Sequence, residues 1–488
     1  MLMQPQLLNL IPLMARLQQY AQQQPHQLAL QDHQRGLTYA ELYHEVSQLS
    51  LQFCQMTSPR IAIQLDNSVQ WVVTDLAILA ANAVQPTVAI PIPSFFSAQQ
   101  QQQVLLDSGA NLLIDAAGMQ PLLVAQPAPP LPLGTVKVTY TSGSTGTPKG
   151  VCLSAQNIQT TLVALDQRLG ELAVRKHLSL MPLAVLLENL AGVYLSLWRG
   201  YQVQLQPGAK LGLHGAHELQ LSSFFQALNQ LQPHSLIVTP GLVKALVYGV
   251  QQQYLKLPDL QLVAVGGARL LPELERQALA LKIPLVQGYG LSEFGSVVCF
   301  NQPATSTSTD QVGTVGKPLD HAKVWLEQGE VVVSGNAMLG YLHDPSSWYP
   351  TCIRTGDWGE FDEHGRLLIK GRKKHIIVTE FGRNLDPEWV EAELTEQPEI
   401  YQAAVFGSET LPLTGIIVAA AEVSDSAINA AIAKVNQSLP DYARLHAWHR
   451  ADSVFSINNA QLTGTGRLRR AEIAKVYAHY LSSERLFV

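Results

Sequence analysis

The chain has 488 residues, of which 47% are hydrophobic and 14% charged, and its net charge is −6. That length predicts more than one domain, and that balance describes a compact globule rather than a disordered or fibrous chain. It leaves no basic footprint for nucleic acid, and no apolar run reaches the roughly 18 residues that a membrane-spanning helix needs.

Residues 1–16 are apolar but lack the basic segment and small-residue cleavage site of a secretory signal, so they read as a helix lying on the domain. Thr38-Tyr39-Ala40-Glu41-Leu42 opens a helix, 60–65 reads as a buried strand and 71–81 as a helix, an α/β alternation. The glutamine-rich stretch 95–104 reads as the exposed start of a helix without chemistry. A Pro-rich connection at 125–134 then feeds a β-branched strand at 136–140. The strand runs into Tyr140-Thr141-Ser142-Gly143-Ser144-Thr145-Gly146-Thr147-Pro148-Lys149-Gly150. Glycines admit backbone N–H groups close to phosphate oxygens, hydroxyls add donors, and the lysine adds a point charge. A Walker loop requires glycine directly before the lysine; Pro148 stands there and disfavours a P-loop NTPase.

Strand patterns recur at 178–181, 202–206, 235–239, 262–265 and 284–286 with helical segments between several of them, which predicts a large, mainly parallel sheet. From 312 to 368 the elements shorten into a small antiparallel β-subdomain with a hairpin turn at Asp362-Glu363-His364-Gly365. Gly371-Arg372-Lys373-Lys374 reads as a linker. Asp386-Pro387 carries an N-cap and first-turn proline signature, so a helix begins there and buries Val390 and Leu394. The remainder reads as a small α+β domain. Four cysteines lack metal-ligand spacing, and the 14 histidines form no His-x-x-x-His pair with a nearby glutamate. A zinc site is not expected, and the thiols fit the reducing cytoplasm.

Five motifs in order give the chain a resemblance to the adenylate-forming superfamily of acyl-CoA synthetases, adenylation domains and luciferases. They are the run from Tyr140 to Gly150, Gly288-Tyr289-Gly290-Leu291-Ser292-Glu293, Arg354-Thr355-Gly356-Asp357, Gly371-Arg372, and Leu462-Thr463-Gly464-Thr465-Gly466-Arg467. The resemblance implies a large N-terminal α/β domain over 1–370, with parallel-rich sheets packed by helices and a β-subdomain at about 312–370. A hinge at 371–374 and a mobile α+β C-terminal domain over 375–488 would follow. It also implies ATP and Mg2+, with Thr141 and Glu293 on the metal. Ser142, Gly143, Ser144, Thr145, Gly146, Thr147 and Lys149 would face the phosphates. Tyr289 would stack on adenine, the Gly266-Gly267-Ala268 turn would let the base approach the backbone, and Gly290 and Ser292 would also bind the nucleotide. Asp357 would hold the ribose hydroxyls, and Arg372 would reach the ribose or the phosphate side. Each has a plainer reading: Glu293 as a charge at a helix N-terminus, Gly266-Gly267-Ala268 as a tight turn, Asp357 as a turn aspartate.

Lys374 falls where the family places its hinge residue, and is equally read as part of a solvated basic run. Arg467 stands where the family's catalytic lysine bridges the α-phosphate and the attacking carboxylate. Arginine keeps the charge but is planar and larger, so the resemblance admits slowed adenylation, an adenylation-impaired relative, or a purely electrostatic role shared with Arg469 and Arg470. The segment 180–189 resembles the family's acyl-pocket motif, with Val185 and Leu186 joining Val265 and Gly290. No aspartate stands where amino-acid-activating domains hold the substrate ammonium, and an apolar pocket points to a fatty or other hydrophobic carboxylic acid. Glu188 is a possible polar specificity group. The stretch 378–384 is similar to long-chain acyl-CoA synthetases, with coenzyme A or a carrier-protein phosphopantetheine as the implied thiol. An adenylate-forming ligase with no thiol step, resembling β-lactone synthetases, is the alternative.

Overall fold

The computed structural model describes residues 11–123, 128–141, 148–214, 218–303, 310–378, 384–408, 411–463 and 466–481. The phosphate-loop residues Ser142, Gly143, Ser144, Thr145, Gly146 and Thr147 therefore lie outside the described residues, as do Gly464, Thr465, most of 378–384 and residues 1–10.

Two large sheets form the N-terminal part. The seven-stranded sheet runs in the order Gly340–Tyr341, Lys149–Ser154, Thr135–Thr141, Val88–Pro91, Arg60–Gln64, Leu112–Asp115, Gly118–Pro121. Its middle pairings are parallel and its outer ones antiparallel. The nine-stranded sheet has a parallel block of Leu285–Tyr289, Leu262–Val265, Ser235–Val238, Lys176–Ser179, Gln202–Leu205 and Leu28–Gln31, with antiparallel strands at both edges. Parallel strands need long crossovers, and these are the helices that cover the sheets. Helix Val69–Asn82 is almost wholly buried, packed on the seven-stranded sheet and against helix Tyr39–Phe53, which explains a sequence apolar on every face.

Local signals place several elements. Thr38 and Glu41 form a reciprocal capping box at the start of helix Tyr39–Phe53, and Ser97 with Gln100 does the same for helix Ala98–Ser108, the glutamine-rich segment. A buried network ties the phosphate-loop strand to the neighbouring layer. Lys137 Nζ donates to Asp75 Oδ2 at 2.8 Å and to Asn189 Oδ1 at 2.5 Å, and the Tyr194 hydroxyl donates to Asp75 Oδ2 at 2.7 Å. Burial holds the lysine below its ordinary basicity, against the pull of Asp75. Breaking such a pair from one side costs about 3–5 kcal/mol.

The β-subdomain is a four-stranded antiparallel sheet of Lys323–Glu327, Glu330–Ser334, Ile353–Phe361 and Leu367–Arg372. The turn at Asp362-Glu363-His364-Gly365 joins its last two strands, with Gly365 at φ 73°. Here the linker expectation needs a correction. Gly371 and Arg372 are strand residues paired with Trp358 and Asp357, so the connection proper begins at Lys373. Their glycine and basic character reflects close packing and the site rather than a loop. Beyond it, helix Pro387–Thr395 is capped by Asp386 and buries Val390 and Leu394. A three-stranded sheet and helix Asp425–Ser438 complete a separate C-terminal core.

Candidate active site

Strand Thr135–Thr141 and its antiparallel partner Lys149–Ser154 hold Thr141 directly opposite Lys149, fixing both ends of the phosphate loop. Lys149 Nζ lies 5.3 Å from the centre of the Tyr341 ring, and the Tyr341 hydroxyl donates to Glu293 Oε1 at 2.9 Å. Burial and then Glu293 push the Tyr341 phenol up, so it remains a donor. Glu293 sits in the short 3-10 turn Ser292–Phe294, anchored by Phe294, which is 0% exposed. Gly290 enters that turn, and a Cβ there would meet the Ser296 carbonyl oxygen at 1.7 Å, so no larger residue fits.

A second group forms where strand Leu285–Tyr289 ends. The Tyr289 hydroxyl donates to Asp357 Oδ2 at 2.5 Å, and Arg372 Nε lies 2.9 Å from Asp357 Oδ1. Burial pushes Asp357 up against the opposing pull of Arg372 and Tyr289. Strand pairing sets this group, since Asp357 and Arg372 are direct partners across the β-subdomain. Gly266, Gly267 and Ala268 follow strand Leu262–Val265 at the same cleft, and Gly267 adopts φ 82°, which favours glycine.

The C-terminal domain supplies the remaining wall. Arg467 Nη2 donates to the Gly267 carbonyl oxygen across the domain boundary. A turn in which Arg467 N donates to Thr463 Oγ1 at 3.0 Å fixes the backbone of Arg467. Arg467 remains solvent-accessible inside a cleft walled by protein, where desolvation first and Arg372 second lower its basicity. Lys374 is lowered in the same way, by burial and then by Arg372 and Arg467. Arg469 and Arg470 differ from it. Arg470 is a domain pillar, forking onto both carboxylate oxygens of Glu391 at 2.5 Å, so it is not a surface charge.

One connected cleft and cavity of about 2220 Å³ joins these groups. Thr141, Lys149, Glu293, Tyr289, Gly290, Ser292, Asp357, Arg372, Lys374 and Arg467 all line it, as do Gly266, Gly267 and Ala268. Val185 and Leu186 line its apolar part, with Val265 built mainly into the core beneath helix Pro240–Gln251. Among the described residues no group of three or more His, Cys, Asp or Glu forms a metal cage. Two hard oxygen donors, Thr141 and Glu293, fit Mg2+, which keeps waters and substrate phosphates as its other ligands.

A model of the AMP-binding enzyme family matches residues 17–342, and one of the AMP-binding enzyme C-terminal domain matches 374–483. The chain belongs to the AMP-binding enzyme family. This places it in the adenylate-forming superfamily as an AMP-forming ligase. It is 26% identical over 431 residues to a 2-succinylbenzoate–CoA ligase of Bacillus velezensis, covering 80% of this chain and 84% of the relative. The o-succinylbenzoate CoA synthetase of Bacillus subtilis with its acyl-adenylate superimposes with a TM-score of 0.76 at 21% identity, over 94% and 97% of the two chains. The anthranilate CoA ligase AuaEII with anthranoyl-AMP gives 0.79 at 17% identity, over 96% and 98%. At these identities the superpositions speak for the fold.

Three features of this AMP-binding enzyme's site escaped the sequence reading. Tyr341 bridges Lys149 and Glu293 from a two-residue strand that joins the edge of the seven-stranded sheet. Arg269 Nη1 donates to Asp386 Oδ2 at 2.5 Å between the domains. Glu388 faces the cleft, where burial opposes its charge but His375, Arg470 and Arg467 together hold its carboxyl down at about 2. The Gly-Tyr pair at 340–341 was the available signal for the first; the other two depend on domain docking.

Proposed function

We propose that the protein activates a hydrophobic carboxylic acid with ATP and passes the acyl group to the thiol of coenzyme A. In the first step a carboxylate oxygen attacks the α-phosphorus, the bond to the bridging oxygen breaks, and pyrophosphate leaves with the electron pair. In the second a thiolate attacks the acyl carbon and AMP departs.

The observation that carries this reading is the convergence of Lys149, Arg372, Lys374 and Arg467, from both domains, on one cleft. An anion approaching a polyanion reacts only where fixed cations offset the accumulating charge. Lys149 would face the outgoing phosphates, Thr141 and Glu293 would hold Mg2+, and Tyr341 restrains the Glu293 carboxylate. Mg2+ when bound draws charge from the phosphate oxygens. Tyr289, Asp357 and Arg372 would fix the nucleoside. Arg467 would span the carboxylate and the α-phosphate with separate N–H groups, a bidentate task for which a guanidinium fork is shaped. Its place in the cleft favours an adenylating enzyme over an impaired relative. The apolar stretch around Val185 and Leu186 supports a hydrophobic acid, and the names of the relatives support coenzyme A.

The test is acid-dependent pyrophosphate exchange across fatty, aryl and amino acids, followed by AMP release with and without coenzyme A. Exchange is expected with hydrophobic acids, and Arg467→Ala is expected to reduce it about a hundredfold or more. The same variant should still transfer the acyl group from a supplied acyl-adenylate. If no acid supports exchange in the wild type or in Arg467→Lys, the adenylation reading fails. AMP release independent of coenzyme A would point to a reaction without a thiol, and exchange with no AMP release on adding coenzyme A would point to a carrier phosphopantetheine.

A further inference from the structure

We propose that the floor of the acyl cavity recognises a neutral oxygen, a hydroxyl or a carbonyl, on the distal part of the acid, through Ser235 held by His177 and Glu188. This rests on the adenylation reading above and narrows its substrate class.

Ser235 and His177 are direct partners across the parallel strands Ser235–Val238 and Lys176–Ser179, so their side chains share one face. His177 Nδ1 lies 3.0 Å from Ser235 Oγ, and His177 Nε2 lies 2.8 Å from Glu188 Oε1. Ser235, His177 and Glu188 are 5%, 2% and 0% exposed. Glu188 opens the π-helix Glu188–Tyr194, whose Gly192 leaves space for the pair. A Cβ on Gly192 would stand 2.4 Å from Glu188 Oε1 and 2.7 Å from His177 Nε2.

His177 and Ser235 line the cavity, where their neighbours include Leu165, Leu169, Ala191 and Leu195. Two further buried oxygens on these elements have no hydrogen-bond partner among the described residues. They are Glu188 Oε2 and Ser179 Oγ, the latter on the same strand face as His177. Polar groups buried in an apolar wall cost free energy unless they are hydrogen-bonded. An acid with a plain alkyl end would leave the cavity-lining Ser235 hydroxyl without a ligand partner.

The position is distal because the strands are parallel. Ser235 is level with Leu262 at the start of strand Leu262–Val265, while Gly266-Gly267-Ala268 follows its far end. At about 3.3 Å per residue, the four residues from Leu262 to Gly266 put the polar floor about 13 Å below that turn. Both imidazole nitrogens are engaged, so the unused capacity is in the Ser235 hydroxyl. With a neutral imidazole donating to Glu188, Nδ1 accepts the Ser235 proton and Oγ accepts from a ligand hydroxyl. With an imidazolium, Nδ1 donates to Oγ and Ser235 donates to a ligand carbonyl. A second carboxylate fits neither state, since Glu188 stands behind the histidine. Arg199, which lines the same cavity, is already paired with Asp166 at 2.6 Å.

The test uses two acyl-sulfamoyl adenosines of equal chain length, one alkyl and one bearing a single distal hydroxyl or keto group, with calorimetric Kd values for the full chain. The oxygenated analogue should bind about tenfold or more tightly. Ser235→Ala should bring the ratio close to one, and Glu188→Gln should lower it while raising KM more than it lowers kcat for the oxygenated acid. Equal affinity of the two analogues, binding of neither, or equal weakening of both by Ser235→Ala would overturn the proposal. Failure of the adenylation reading looks different: both analogues bind with the expected ratio, yet neither parent acid supports pyrophosphate exchange.

Discussion

Tyr341 is the residue through which Lys149 and Glu293 meet, because its ring faces Lys149 while its hydroxyl donates to Glu293. Tyr341→Phe keeps the ring and deletes only the donor to a carboxylate. A hydrogen bond to a charged group contributes about 1.5–3 kcal/mol, so exchange should fall about tenfold or more, with a higher Mg2+ requirement. A magnesium titration of exchange in both proteins checks this, and an unchanged midpoint and rate would remove Tyr341 from the site. His321 acts one layer behind. It stacks on Phe294 with ring centres 5.5 Å apart, and burial pushes its pKa from an ordinary 6.5 down to about 4, against Val297 and Asp320. The folded-state pKa is depressed, so the stabilisation is present above pH 6.5 and is lost as pH falls through 4. Denaturant midpoints of His321→Phe should therefore vary less between those two pH values than wild-type midpoints; identical slopes would refute it.

The π-helix Glu188–Tyr194 is the element on which the proposed acyl side depends, since it carries Glu188 to His177 and Asn189 to Lys137. Extra-wide turns of this kind cluster at functional sites. Gly192→Ala would force a methyl group against the Glu188–His177 pair, and overpacking of that order costs about 1–3 kcal/mol. Equilibrium unfolding should show that loss, while Gly170→Ala, where a Cβ would meet nothing within 4 Å, tests backbone strain alone at φ 56°. Elements governed by local rules were legible in the sequence: the Thr38–Glu41 capping box, the Asp362–Gly365 turn and the helix after Asp386-Pro387. The π-helix was not, because its apolar spacing resembles an ordinary buried helix. Nor was Ser235, whose partnership with His177 is set by strand register between residues 58 positions apart. The motif residues Glu293, Tyr289 and Asp357 were singled out in the sequence and line one cleft, while the link from Glu293 to Tyr341 required the sheet edge to close.

At the scale of the molecule, the cleft gains Arg467 only while the domains are docked, and among the described residues the docking includes three polar contacts. Lys244 Nζ donates to the Thr395 carbonyl at 3.0 Å, Arg467 reaches the Gly267 carbonyl, and Arg269 pairs with Asp386. The last is the most consequential. The Asp386 side chain is 6% exposed, caps helix Pro387–Thr395, and packs so closely on Gly371 that a Cβ there would lie 2.5 Å from its Cγ. The end of strand Leu367–Arg372 and the first helix of the C-terminal domain are therefore neighbours of one carboxylate. Burial and Glu388 already push that carboxylate up, and Arg269 opposes them. Arg269→Ala would leave it without its inter-domain cation, weakening the docked orientation by about 1–3 kcal/mol, a shift of roughly five- to a hundredfold in its population relative to others. If acyl transfer uses a second orientation reached by turning about Lys373–Lys374, the two half-reactions should respond in opposite senses. Pyrophosphate exchange should fall by that factor, while single-turnover transfer from supplied acyl-adenylate to coenzyme A stays level or rises, and cleavage by trypsin after Lys373 or Lys374 should quicken. A parallel fall in both half-reactions would mean that Arg269 serves the nucleotide site itself, and that the docked arrangement is the working state for the whole reaction.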